Sequence, residues 1–222
     1  MKLSCILKKT LFRKTVCDLT VNGIVVARLV SGQRTDVELA DCERYYISLG
    51  DKVCDALTVL LPEGDTISLT VTRGKKSFSL DALGARIEVI SLERLLCAMY
   101  DEGQILSLCP WEKNAFFALS YAGLNREDAI LESPYLLQIR NALACVGDTE
   151  IAERLTRVIE RCEISLPLIA SKKLTPEEQT ALVESYHLLW CEAEAVEGDE
   201  ELRSLLRVYD YIYEKQKENG DA

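Results

Sequence analysis

The sequence predicts an α+β chain, with an N-terminal antiparallel β-sandwich domain over residues 1–90 and a C-terminal all-helical bundle domain over residues 91–222. Three observations predict it. Before residue 90 apolar residues alternate with polar ones, and turn residues recur about every ten positions. After it the apolar period lengthens to that of a helix, and helix caps replace tight turns. The whole is 48% apolar and 28% charged with only 11 Gly and 5 Pro, which excludes a disordered or collagen-like chain.

The strongest local signal is Asn22-Gly23 between two alternating runs, 15–21 and 24–29. Asn-Gly accepts the positive φ angles of a type I′ turn, whose twist matches paired antiparallel strands. Cys17, Leu19 and Val21 then share one face. Further strands are predicted at 35–39, 44–49, 56–61, 66–72, 78–80 and 86–90, with Pro62-Glu63-Gly64-Asp65 forming a turn between two of them. Residues 2–8 read as an edge strand, because flanking lysines discourage pairing with another chain.

Helices are predicted at 92–100, 110–122 and 135–146, with a short turn at 125–131. Ile151, Leu155, Val158, Ile159 and Cys162 keep the spacing of one buried helical stripe. Thr175-Pro176-Glu177-Glu178 reads as a capping box that opens a helix running to about 196. A last helix, 199–217, places Leu202, Leu205, Leu206, Tyr209, Ile212 and Tyr213 on one side, a stripe that needs a partner surface. No Gly- or Pro-rich linker lies between residues 89 and 93, so the two domains are expected to pack together.

The net charge of −10 is unevenly placed: residues 1–90 carry 13 Lys/Arg and 11 Asp/Glu, whereas residues 91–222 carry 13 and 25. An acid-rich half repels phosphate, so neither nucleic acid nor an anionic membrane is an expected partner. No run reaches the ~18 apolar residues of a membrane-spanning helix. The nine cysteines contain no Cys-x-x-Cys pair and mostly lie among apolar neighbours. Lys8-Lys9 interrupts the short apolar opening, which therefore does not read as an export signal, and a reducing cytoplasmic setting is expected.

Catalytic groups are few. The one histidine, His187, forms Glu-x-x-His with Glu184, and Cys191 lies one turn further on, so the three share a helical face that could touch a metal. A ferritin-like carboxylate site needs a second Glu-x-x-His, which the chain lacks. A hydrogen-bonded or surface histidine is therefore the expectation. Cys109, before Pro110 at a helix start, is the nearest approach to a reactive thiol, and packing is its plainer role. Gly74-Lys75-Lys76-Ser77 has Leu69 where a phosphate loop needs glycine, and no Gly-x-Gly-x-x-Gly occurs, so no cofactor is expected. The acidic run Glu192, Glu194, Glu197, Asp199, Glu200 and Glu201 suits the start of a helix and is also the candidate docking site for a basic partner.

Residues 19–29 with Gly32-Gln33 and Val37-Glu38-Leu39 resemble the small β-sandwich modules grouped as PEGA-like, and Pro62-Glu63-Gly64 is similar to the motif that names them. The likeness spans about residues 15–80 and departs from the pattern at Ala40-Asp41-Cys42. It implies a non-catalytic module, often extracytoplasmic, in conflict with the cysteine reading.

Together these features predict a cytoplasmic, non-enzymatic protein-binding or scaffolding protein. Its partner, another protein or a second copy, would dock on the acidic helical domain or the β-domain edge, and a small-molecule ligand is not expected. Two other readings stay open. One is a carboxylate- or thiol-based enzyme with a site at the domain junction. The other is an acidic inhibitor or immunity-type protein for a basic partner.

Overall fold

A computed structural model describes residues 1–9, 15–50, 56–74, 78–121, 135–170, 175–178, 180–181, 184, 188 and 198–220, with backbone alone for 162–170 and 198–199. It is α+β: nine strands in two sheets come first and helices follow. The strands are β1 (Lys2–Leu7), β2 (Val16–Val21), β3 (Ile24–Val30), β4 (Arg34–Glu38), β5 (Tyr45–Leu49), β6 (Ala56–Pro62), β7 (Thr66–Arg73), β8 (Phe78–Leu83) and β9 (Ala85–Ser91). One sheet has the order β4-β1-β7-β8, and the other β3-β2-β5-β6-β9.

Two sequence expectations need correction here. β1 is an interior strand, lying between β4 and β7, and not an edge. Its Leu3, Cys5 and Leu7 are fully buried, and that burial outweighs the charge of the flanking lysines. The pairing is also not wholly antiparallel, because β1 runs parallel to β7, with Leu3 opposite Ile67, Cys5 opposite Leu69 and Leu7 opposite Val71. A parallel pair requires a long crossover, and here all of β2 to β6 intervenes.

Alternation puts every second residue of β1, β2 and β7 inward. Leu3, Cys5, Leu7, Cys17, Leu19, Val21, Ile67, Leu69 and Val71 join Leu29, Tyr45, Ile47 and Leu60 in one core drawn from both sheets. Asn22 (φ +51) and Gly23 (φ +80) form the expected positive-φ turn. The Asn22 side chain also accepts a 2.8 Å bond from the Tyr46 amide, tying the hairpin to β5. Tyr45 anchors the 40–45 corner, its hydroxyl donating to the Ala40 carbonyl at 2.7 Å and accepting from the Cys42 amide at 3.0 Å.

The helices are α1 (Glu93–Tyr100), a 3-10 helix (Glu102–Ser107), α2 (Pro110–Tyr121), α3 (Leu136–Cys145), α4 (Thr149–Ala170) and α5 (Gly198–Asn219), with further helical positions between 176 and 188. α3 ends at Gly147 (φ +84), where the Asp148 amide reaches the Leu143 carbonyl and satisfies a helix-end acceptor. Ile151, Leu155 and Val158 are buried along α4, as their spacing predicts. The capping box forms: the Thr175 amide donates to the Glu178 carboxylate at 2.9 Å, and the Glu178 amide to the Thr175 hydroxyl at 3.3 Å. The expected turn at 125–131 lies outside the described residues.

The chain divides into two units, Met1–Leu96 with Tyr213–Ala222, and Cys97–Ile212. α5 thus serves both, its last turns belonging with the strands.

Candidate interaction surface

The five-stranded sheet has two edges, and the chain treats them differently. At β9 the edge meets the end of α5. The Ser91 amide donates to Gln216 Oε1 at 3.0 Å, and Gln216 Nε2 donates to the Ser91 carbonyl at 2.8 Å. A primary amide thus supplies the donor and acceptor that a neighbouring strand would supply. One turn earlier the Tyr213 hydroxyl donates to Glu88 Oε2 at 2.6 Å. The Arg44 guanidinium lies 4.7 Å from the Tyr213 ring centroid and bonds Glu214 at 2.8 Å.

At β3 the strand pairs only with β2 among the described strands. Its exposed side chains are apolar at the hairpin end, Ile24 at 53% and Val25 at 60% of their free surface, and Arg28 is its one charge. The direction of its backbone follows from the pairing. The Ser31 amide donates to the Thr15 carbonyl, and antiparallel pairs alternate, so Leu29 and Ala27 face β2 while Arg28 faces outward. From the two-residue turn, Ile24 faces β2 and Val25 faces outward. These phases differ by one residue, and the register shift at Leu19/Thr20 supplies it. In the four-stranded sheet the β4 edge carries exposed Arg34, Asp36 and Glu38, a charged guard that β3 lacks.

The ends of the strands are charged oppositely. Lys8 and Lys9 follow β1, Arg34 opens β4 and Arg73 ends β7, all exposed and at one end of the sheets. The stretches 7–15, 31–35 and 72–80 contain no acidic residue. Lys9 lies against Gly32 (φ +78), and Arg73 donates to the Thr15 hydroxyl at 3.3 Å, so both sit near the finish of β3. Asp51 and Asp55, in the β5–β6 connection, lie outside the described residues. The opposite end collects Glu38, Asp41, Glu43, Glu63 and Asp65, with Arg44 and Lys2 as counter-charges. There Met1, Lys2, Glu38, Leu39, Asp41 and Asp65 line an open cleft of about 450 Å³.

In the second unit, Arg154 on α4 makes two 3.1 Å bonds to Glu200 and one of 2.8 Å to the Tyr121 hydroxyl. Burial works against the Arg154 charge, but the Tyr121 and Glu200 oxygens outweigh it and hold its pKa above the ordinary value. Asp148, at the start of α4, is buried and pairs with Arg207 at 2.6 Å.

The sequence-predicted site residues fare as follows. Glu184 is exposed on a helix, and its suggested co-ligands His187 and Cys191 lie outside the described residues. No group of three His, Cys, Asp or Glu side chains poised for a metal occurs among the described residues. Glu192, Glu194 and Glu197 also lie outside them, and Asp199 is described by backbone alone. Glu200 is tied to Arg154, and Glu201 is half-buried with a partner of its own. Cys109 is half-buried, its amide donating to the Glu112 carboxylate at 2.8 Å in a helix cap. Local sequence signals marked Tyr213 only as part of an apolar stripe and missed Gln216 and Arg44, because these contacts span 125 to 170 residues.

No family model, curated protein or solved structure matches this chain. Among the described residues no helix is long and apolar enough to cross a membrane. The functional reading therefore rests on the surfaces themselves.

Proposed function

We propose that this chain is a non-enzymatic protein-binding module in which β3 receives an extended segment of a partner. On this reading the strands form a β-sandwich of the PEGA-like kind, and residues 97–212 form a helical bundle. The core shared by both sheets, the Asn22-Gly23 hairpin and the Tyr45 corner support the sandwich.

One observation carries the functional reading: the end of the outer strand at one side of the five-stranded sheet is clasped by Gln216, leaving Val89 exposed, while the strand at the other side presents both Ile24 and Val25 to solvent. Natural sheets guard their edges, and an unguarded apolar edge is the geometry used for strand addition, where main-chain bonds give affinity and alternate side chains give specificity. The acidic run has less in its favour as the docking site, since Glu200 is already engaged by Arg154 at 17% exposure.

Photo-crosslinking tests this. With a benzophenone side chain at Val25, irradiation in an extract of the native source gives a discrete protein adduct, and Arg28→Pro in the same chain removes it. The same probe at Leu106, more exposed than Val25 but on the 3-10 helix, gives none. Equal labelling at both positions, or none at Val25, overturns the reading.

A further inference from the structure

We infer that the segment received by β3 is an extended peptide bearing acidic residues at its N-terminal end and alternating apolar residues after them. This rests on the strand-addition reading above and names the chemistry of the guest. β3 runs from an apolar start, Ile24 and Val25, to Arg28 and a finish flanked by Lys9 and Arg73. Lys8 lies beside that finish as well, its amide bonded to the Val71 carbonyl at the close of β7.

An antiparallel guest, whose ladder bonds are the straighter and slightly stronger kind, begins opposite the basic end and finishes opposite Ile24. Its first residues meet the positive charge of Lys8, Lys9 and Arg73, all exposed. Later ones place every second side chain beside Val25 on the outer face of the sheet. Asp18 reaches Arg28 at only 3.7 Å and leaves that guanidinium 77% exposed, so it can meet a second carboxylate. A lysine-headed guest would instead face like charge along its first residues.

The test uses the full chain and two fluorescent peptides, one of glutamates followed by alternating valine and threonine, the other with lysines in place of the glutamates. Anisotropy titration at low salt gives at least about a fivefold preference for the glutamate peptide, the size expected from a few exposed charge pairs. Raising the salt to ~0.5 M erodes that preference. Arg28→Glu reverses or abolishes it, and Val25→Pro, which removes an outward amide without touching the bonds to β2, weakens both peptides together. If both peptides bind equally and both respond to Val25→Pro, the edge is a docking site but the acidic preference is wrong. If neither binds, or if Val25→Pro changes nothing, the edge reading falls with it.

Discussion

β3 and β9 are the two outer strands of the same sheet, yet the end of β9 is clasped by an amide side chain, with Val89 alone of its large apolar residues exposed, whereas β3 offers both Ile24 and Val25 to water. The unpaired groups on an edge strand are alike whatever the sequence, so the difference is one of covering and not of backbone. Covering β9 required a helix from the far end of the chain, with Tyr213, Glu214 and Gln216 each making a specific bond to it or to Arg44. Among the described residues β3 has neither such a helix against it nor the row of charges seen on β4. On the strand-addition proposal, that unguarded edge is the docking surface.

The comparison can be broken most severely at Gln216. Gln216→Leu removes both bonds to Ser91 and lowers stability by about 2 kcal/mol in urea denaturation, with faster hydrogen exchange at the end of β9 but not in β3. Next comes the root of β3. Asn22→Ala loses the acceptor for the Tyr46 amide and forces alanine to a positive φ, at a cost of about 2 kcal/mol by the same measurement. Val25→Pro, by contrast, changes stability by less than about 1 kcal/mol, because the amide it removes faces solvent. A large loss there would mean that the β3 edge is engaged within the fold after all.

Two thiols sharpen the contrast between interior and edge. Burial, assisted by the Asp36 charge, pushes the Cys5 thiol up to about 12 from an ordinary value of 9.0, and burial raises that of Cys17 as well. Between those limits the unfolded chain releases a proton from Cys5 that the folded chain keeps. The stabilising contribution is therefore complete below pH 9 and fades as pH climbs toward 12. Cys5→Ala flattens that part of the pH profile of the denaturation midpoint. At neutral pH, iodoacetamide modifies the exposed Cys42, Cys97 and Cys145 in the native protein and spares Cys5 and Cys17 until it unfolds.

Local chemistry made much of this fold legible. The Asn22-Gly23 turn, the alternating strands after it and the Thr175–Glu178 box are decided by residues a few positions apart, and each appears where its chemistry places it. What could not be read is what depends on distant partners. The placing of β1 inside its sheet depends on β7, some sixty residues on, and lysines at its ends pointed the other way. Apolar periodicity in the last helix marked Ile212 and Tyr213, which are buried, together with Leu202, Leu205, Leu206 and Tyr209, which are half-buried, whereas the line buried throughout runs through Ser204, Val208, Ile212 and Gln216. Two of those four are polar, and a hydrophobic pattern is blind to a glutamine buried for the sake of two hydrogen bonds. The free edge was foreseeable only as a generic possibility, because which strand lies outermost is a property of sheet order.

The clasp between Gln216 and Ser91 also sets a timetable for synthesis. Ser91 leaves the ribosome 125 residues ahead of its partner, so the nascent strands must wait, with β9 unsealed, until α5 has emerged. During that interval both sides of the growing sheet are open to mispairing. The newborn molecule is therefore most in need of a chaperone at the very time when its strands are otherwise complete.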